Sequence, residues 1–144
     1  MVPTTRQVEM QHIGLFAIVV RDYDEAIAFY VDKLGFELRE DTQQSAEKRW
    51  VVVAPPGANE SAVLLARAAE TRQVASVGNQ TGGRVGFFLY TDDFQRDYDR
   101  YRAAGVEFIR PVLHESYGTV SVFVDLYGNR WDLVEPAVRD REGR

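Results

Sequence analysis

Two stretches of the chain repeat one pattern of apolar and polar positions. The first is FAIVVRDYDEAIAFYVDKLGFELRE and the second GFFLYTDDFQRDYDRYRAAGVEFIR. Each opens on an apolar run rich in β-branched and aromatic residues, stops at an acidic residue, and continues with apolar positions at helical spacing. Asp22 and Asp93 lie 71 positions apart, as do Ile27 and Tyr98, and Tyr30 and Tyr101, while Gly35 and Gly105 lie 70 apart. The spacing predicts two helices, each N-capped by its Asp, because a short carboxylate accepts from the free backbone N–H groups of the first turn and favours the positive end of the helix dipole. Glu25 stands at capping-box distance from Asp22. Ile27, Tyr30, Val31 and Leu34 share one face of the first helix, as Phe94, Tyr98 and Tyr101 do in the second, and the glycines suit the left-handed termination of each.

Alternating positions after each helix predict three strands. In the first unit they run from about Phe36 to Asp41, Arg49 to Ala54 and Ala62 to Ala66; in the second, from about Val106 to Arg110, Thr119 to Val124 and Arg130 to Val134. The turns PPGAN and DLYGN join the last two strands of each unit, with Gly57 and Gly128 again 71 apart. With the leading runs Leu15–Val20 and Gly86–Tyr90, each unit is βαβββ. A four-stranded sheet with a helix on one face needs a partner for the other, and two copies can supply it to each other. The expected organisation is a first module at 13–66, a polar surface linker at 67–83, a second module at 84–136 and a polar tail at 137–144.

Composition narrows the function. The 144 residues are 45% hydrophobic and 27% charged, which is globular. A net charge of −5 repels phosphate backbones, so nucleic acid is not an expected partner. The absence of Cys excludes disulfides, thiolate chemistry and Cys-based zinc sites. LFAIVV is too short to span a bilayer, and MVPTTRQVEMQH lacks the apolar core of a signal peptide, so a cytoplasmic location and no membrane partner are expected.

The doubled pattern, with RDYDEAIAFYVDKLGFEL and VDLYGNRWDLVEP, resembles the vicinal oxygen chelate superfamily, also called the glyoxalase/bleomycin resistance/dioxygenase family, over about Ile13 to Pro136. The resemblance implies an α+β fold of two tandem βαβββ modules forming curved sheets around a cavity. It leaves function open, because that fold carries metal-dependent lyases, isomerases, dioxygenases and epimerases as well as metal-free proteins that sequester an antibiotic. In metal-using members each module gives one ligand seven residues before its capping Asp and one four residues after its turn glycine. Those positions are Leu15 and Ser61, Gly86 and Asp132, with Glu60 one residue from Ser61. Only Asp132 is a natural ligand, and one carboxylate does not hold a transition-type divalent ion. No cofactor is therefore expected. A divalent metal remains the alternative, which needs His12 and His114 to fold inward and join Asp132.

Alternation sets Leu15, Ala17 and Val19 on one face, and Gly86, Phe88 and Tyr90 on the equivalent face of the second module. With Trp50, Tyr117, His114 and Asp132, these residues form the candidate ligand site, an aromatic-walled pocket with few polar anchors. Asp132 either anchors a ligand or, with its pKa raised by burial, moves a proton as the candidate catalytic residue. The favoured function is a metal-free protein that sequesters an aromatic or cationic small molecule. The alternative is a metal-dependent lyase, isomerase or dioxygenase, and a regulatory domain with a vestigial cavity is a third reading. The resemblance also implies a homodimer.

Overall fold

The computed structural model describes residues 9–138, so most of the tail expected at 137–144 lies outside the described residues. Strands β1 (Leu15–Val20), β2 (Glu37–Gln43), β3 (Arg49–Ala54) and β4 (Ala62–Arg67) form one sheet in the order β1-β4-β3-β2. Strands β5 (Val85–Tyr90), β6 (Leu113–Glu115), β7 (Gly118–Val124) and β8 (Arg130–Pro136) form the other in the order β5-β8-β7-β6. In both sheets the first strand runs parallel to the last and the remaining pairs are antiparallel. The fold is α+β, two tandem modules of the expected kind.

Helix α1 (Tyr23–Ile27) continues as a π-helical stretch, Ala28–Lys33. Asp22 caps it by accepting from Glu25 N–H at 2.9 Å, but Glu25 does not return the bond, because its carboxylate is taken by Arg21 and by the Tyr127 hydroxyl of the second module. The counterpart α3 (Phe94–Ala103) is α-helical throughout and capped by Asp93. The π stretch absorbs one extra residue: Phe36 N–H reaches back to Tyr30 O (2.9 Å), whereas Val106 N–H reaches back to Tyr101 O (2.9 Å) over one residue fewer. That insertion is why the repeat slips from 71 to 70 positions at the glycines.

The sheet ladders carry the 70-residue offset onward. Both turns close with a backbone bond, Ala58 N–H to Pro55 O and Gly128 N–H to Asp125 O, each 3.1 Å. Pro55 thus occupies the place of Asp125, and Gly57 the place of Tyr127. The expected match of Gly57 with Gly128 is corrected: the chain spends two more residues between its turn closure and β4 than it does before β8.

One further expectation is corrected. Residues 106–110 form no regular strand; Phe108 makes an isolated bridge to Phe123, and the edge strand β6 starts only at Leu113, beyond Pro111, which lacks the N–H a ladder needs. The segment between the modules also has structure of its own. It contains α2 (Thr71–Ser76), and the Gln80 amide clips the free edge of β1, accepting from Val19 N–H (2.9 Å) and donating to Ala17 O (2.7 Å). Gly78 passes so close to the second module that a Cβ there would sit 1.9 Å from Tyr127 O, and its φ of +77 independently favours glycine.

One hydrophobic cluster runs through both modules, from Ile18, Val20, Tyr30 and Leu65 to Leu89, Phe123, Trp131 and Leu133. Trp131 joins the halves, its ring centroid 5.9 Å from Tyr30 and 6.0 Å from Phe36 on one side and 4.9 Å from Phe87 on the other. Asp125 locks the same seam from within the core. Its buried carboxylate accepts from the Tyr30 hydroxyl (2.6 Å), Asn129 Nδ2, Tyr127 N–H and Asn129 N–H (each 2.9 Å). Four donors from two modules converge on two oxygens, which satisfies a carboxylate that burial would otherwise destabilise.

Candidate functional site: the open face of the second module

Strand alternation divides the second sheet cleanly. Phe87, Leu89, Trp131, Leu133 and Phe123 point into the shared core, so Phe88, Tyr90, Asp132, Val134, Val120 and Val122 point the other way. The ladder sets Phe88 beside Asp132 and Asp132 beside Val122, and Tyr90 beside Val134. The three valines are buried and form a floor, above which Phe88 and Tyr90 stand 56% and 58% exposed.

Asp132 is the one acid within this row. It is half-buried, and its carboxylate makes no hydrogen bond or ion pair among the described residues. Burial lifts it above the ordinary carboxylate range, while the Arg110 guanidinium pulls it partly back. Arg110 is a site neighbour that the sequence alone does not single out, because alternation places it at the end of a strand without saying which strand it would face. Beside the face, an apolar pocket of about 320 Å3 opens at the module junction, lined by Phe88, Gly86 and Trp131 of the second module and Phe16, Ala62 and Val63 of the first.

The other expected site residues are spread out. Trp50 lies on the equivalent face of the first module, where it lines a separate cavity of about 470 Å3 with Leu64 and Ala66. Tyr117 is exposed at the β6–β7 turn. His114 pairs with Thr119, its Nδ1 3.3 Å from Thr119 Oγ1, and so projects from the face opposite Asp132. His12 is exposed ahead of β1. The structure thus brings Phe88, Tyr90 and Asp132 together, and leaves Trp50, His114 and Tyr117 apart from them within one chain.

The ladders also move one family ligand position. Phe88 corresponds to Ala17, and Ala17 pairs with Leu64 as Phe88 pairs with Asp132. The counterpart of Asp132 is therefore Leu64, not Ser61, because the longer turn displaces the count; Ser61 Oγ is spent on Ile13 O at 2.8 Å and Glu60 stays exposed in the turn. Gly86 sits at a bulge in β5, where a Cβ would meet Thr81 Cγ2 at 2.3 Å. The four positions are then Leu15, Leu64, Gly86 and Asp132, a donor set that does not fit a divalent metal. Among the described residues no group of three or more His, Asp or Glu converges. None of the described helices is long and apolar enough to cross a membrane.

The model of the Glyoxalase/Bleomycin resistance protein/Dioxygenase superfamily matches residues 10–133. An uncharacterized protein of Shewanella frigidimarina (strain NCIMB 400) is 58% identical over 126 residues, covering 87% of this chain and 93% of the relative. Among solved structures, UcmS2 superposes with a TM-score of 0.76 at 30% identity, covering 88% of this chain and 98% of that one. TnmS3, an antibiotic binding protein from Streptomyces sp. CB03234, gives 0.74 at 30% identity over 91% of this chain and all of its own (100%).

Proposed function

The chain belongs to the glyoxalase/bleomycin resistance protein/dioxygenase superfamily, and from that premise we propose that it is a metal-free binding protein for a planar aromatic, preferably cationic, small molecule. The observation that carries this reading is Asp132, a half-buried carboxylate without a hydrogen-bond partner among the described residues, set on the ladder beside exposed Phe88, with exposed Tyr90 two residues further along the same strand. An aromatic body stacks on the two rings, and a donor or cation on it supplies the partner the carboxylate lacks. The apolar donor set at Leu15 and Leu64 supports capture over metal-assisted catalysis. TnmS3 is an antibiotic binding protein, and that likeness supports capture of a small molecule.

The test is a fluorescence titration with acridine orange, a planar cationic probe, with and without chelator. Binding is expected to survive chelation and to weaken about ten- to a hundredfold in Asp132→Asn, the range for losing one charge-assisted contact. Binding that needs added Zn2+ or Ni2+, or that ignores the substitution, overturns the proposal. A stability readout accompanies it. A carboxyl whose folded pKa is raised takes up its proton more readily in the folded state, so stability falls as pH rises from the ordinary value of about 3.9 through the raised one. Asp132→Asn is therefore expected to melt above the wild type at pH 7, with the gap closing below about pH 4.

The same reading includes a homodimer. Leu15 on the first open face and Phe88, Tyr90 and Leu113 on the second remain 38% to 58% exposed among the described residues. A second copy that lays its first module over this face would cover both and bring its own Trp50 to the ligand. Sedimentation equilibrium at micromolar concentration is expected to return twice the chain mass; a monomer removes this part of the proposal.

A further inference from the structure

The two modules meet across a pseudo-twofold seam, and its two halves are unequal. In one half, the Tyr30 hydroxyl of α1 meets the Asp125 carboxylate of the β7–β8 turn, and the Tyr127 ring lies under Arg21, 5.6 Å from guanidinium to centroid, with its hydroxyl on Glu25. In the other half the corresponding tyrosine is Tyr101 of α3, and it faces Pro55 where Asp125 would stand. Gly57 stands where Tyr127 would. A carboxylate and a phenol ring are thus missing from this half, and in their place the structure has a cavity of about 530 Å3. That volume falls in the range of small-molecule sites.

The cavity keeps the groups that the missing parts would have met. Tyr101 is only 5% exposed and lines the space, yet its hydroxyl makes no hydrogen bond among the described residues, in contrast to Tyr30. Arg96 pairs with both Asp92 and Asp97, each at 3.0 Å, and all three line the cavity; Arg100, exposed at its rim, balances the second aspartate and has no ion pair of its own among the described residues. Leu34, Phe36 and Leu89 supply an apolar wall. One cation without an ion pair and one phenol without a hydrogen bond, beside an apolar wall, offer contacts to an anion carried on a hydrophobic body.

We infer that this seam cavity is a second binding site, separate from the Asp132 face, for a small aromatic carboxylic acid. Its carboxylate accepts from the Tyr101 hydroxyl and pairs with Arg100, as Asp125 serves Tyr30, and its ring lies against Leu34, Phe36 and Leu89. The chain thereby obtains from a ligand what its own sequence supplies in the other half.

Calorimetric titration of the full chain with 4-hydroxyphenylacetate tests the site, with the neutral 4-hydroxyphenylacetamide as control. The acid is expected to bind and to raise the melting temperature with concentration, and the amide to bind at least about tenfold more weakly. Tyr101→Phe removes a hydroxyl that bonds nothing in the free protein, so it is expected to leave the free melting temperature unchanged and to weaken the acid about tenfold or more. Pro55→Asp rebuilds the internal carboxylate and is expected to abolish acid binding while raising the free protein's stability. Should that variant not fold, Arg100→Leu takes its place, with the same loss of acid binding expected. No heat and no thermal shift with millimolar acid, equal binding of acid and amide, or unchanged acid binding in Tyr101→Phe would each overturn the assignment.

Discussion

Asp125→Ala is expected to destabilise the fold by about 3–5 kcal/mol, the scale for removing one partner from a buried charged network. The substitution strips the acceptor from the Tyr30 hydroxyl, the Asn129 amide and two backbone N–H groups at once. Asp125 and Asn129 are 4% and 3% exposed, so water does not freely replace the lost oxygens. For a chain of this size the melting temperature should fall by roughly 10 °C. Tyr30→Phe removes a single charge-assisted bond and should cost about 1.5–3 kcal/mol. Denaturant melts followed by tryptophan fluorescence measure both. If Asp125→Ala melts within a degree or two of the wild type, the lock does not hold the modules together.

Trp131→Ala is the other large effect, about 3–5 kcal/mol for emptying a buried aromatic site. The indole is 4% exposed and packs against two rings from each module: Tyr30 and Phe36 on one side, Phe87 and Phe123 on the other. Its N–H lies near enough to the Tyr30 hydroxyl to influence that group's ionisation, yet meets no acceptor in hydrogen-bond geometry. Trp131→Phe therefore gives up no hydrogen bond and keeps the stack, and it should recover most of the loss. Equal damage from Phe and Ala would show that the indole N–H matters more than its packing. Because Trp131 neighbours Asp132 in sequence but faces the opposite side of β8, Trp131→Phe should leave probe binding at the Asp132 face nearly intact.

The comparison of sequence and structure turns on small insertions. The alternation that groups Gly86, Phe88 and Tyr90 was legible because a strand's period is two whatever surrounds it. The helix caps at Asp22 and Asp93 were legible because a cap depends on its own turn. The displaced metal position was not, since counting from a glycine assumes turns of equal length; the one-place slip of Gly57 against Gly128 and the two extra residues before β4 together turn Ser61 into Leu64. The edge strand β6 escaped because Pro111 breaks the alternation ahead of it, and Arg110, though inside a predicted strand, had no local signal that it would lie near Asp132. Asp125 looked like an ordinary turn residue in DLYGN, and nothing local says that its carboxylate reaches a tyrosine 95 positions away.

The sequence by itself determined the repeated βαβββ units, the family they resemble and the shortage of metal ligands, because these follow from local periodicity, capping and residue chemistry. Only the tertiary structure decided which residues face one another: that Asp132 lies bare beside the Phe88 ring, that His114 points away from it, and that one half of the seam is filled by Asp125 and Tyr127 while the other is hollow. Those relations depend on ladder register and on packing between modules, where one inserted residue moves a side chain to another face or another partner.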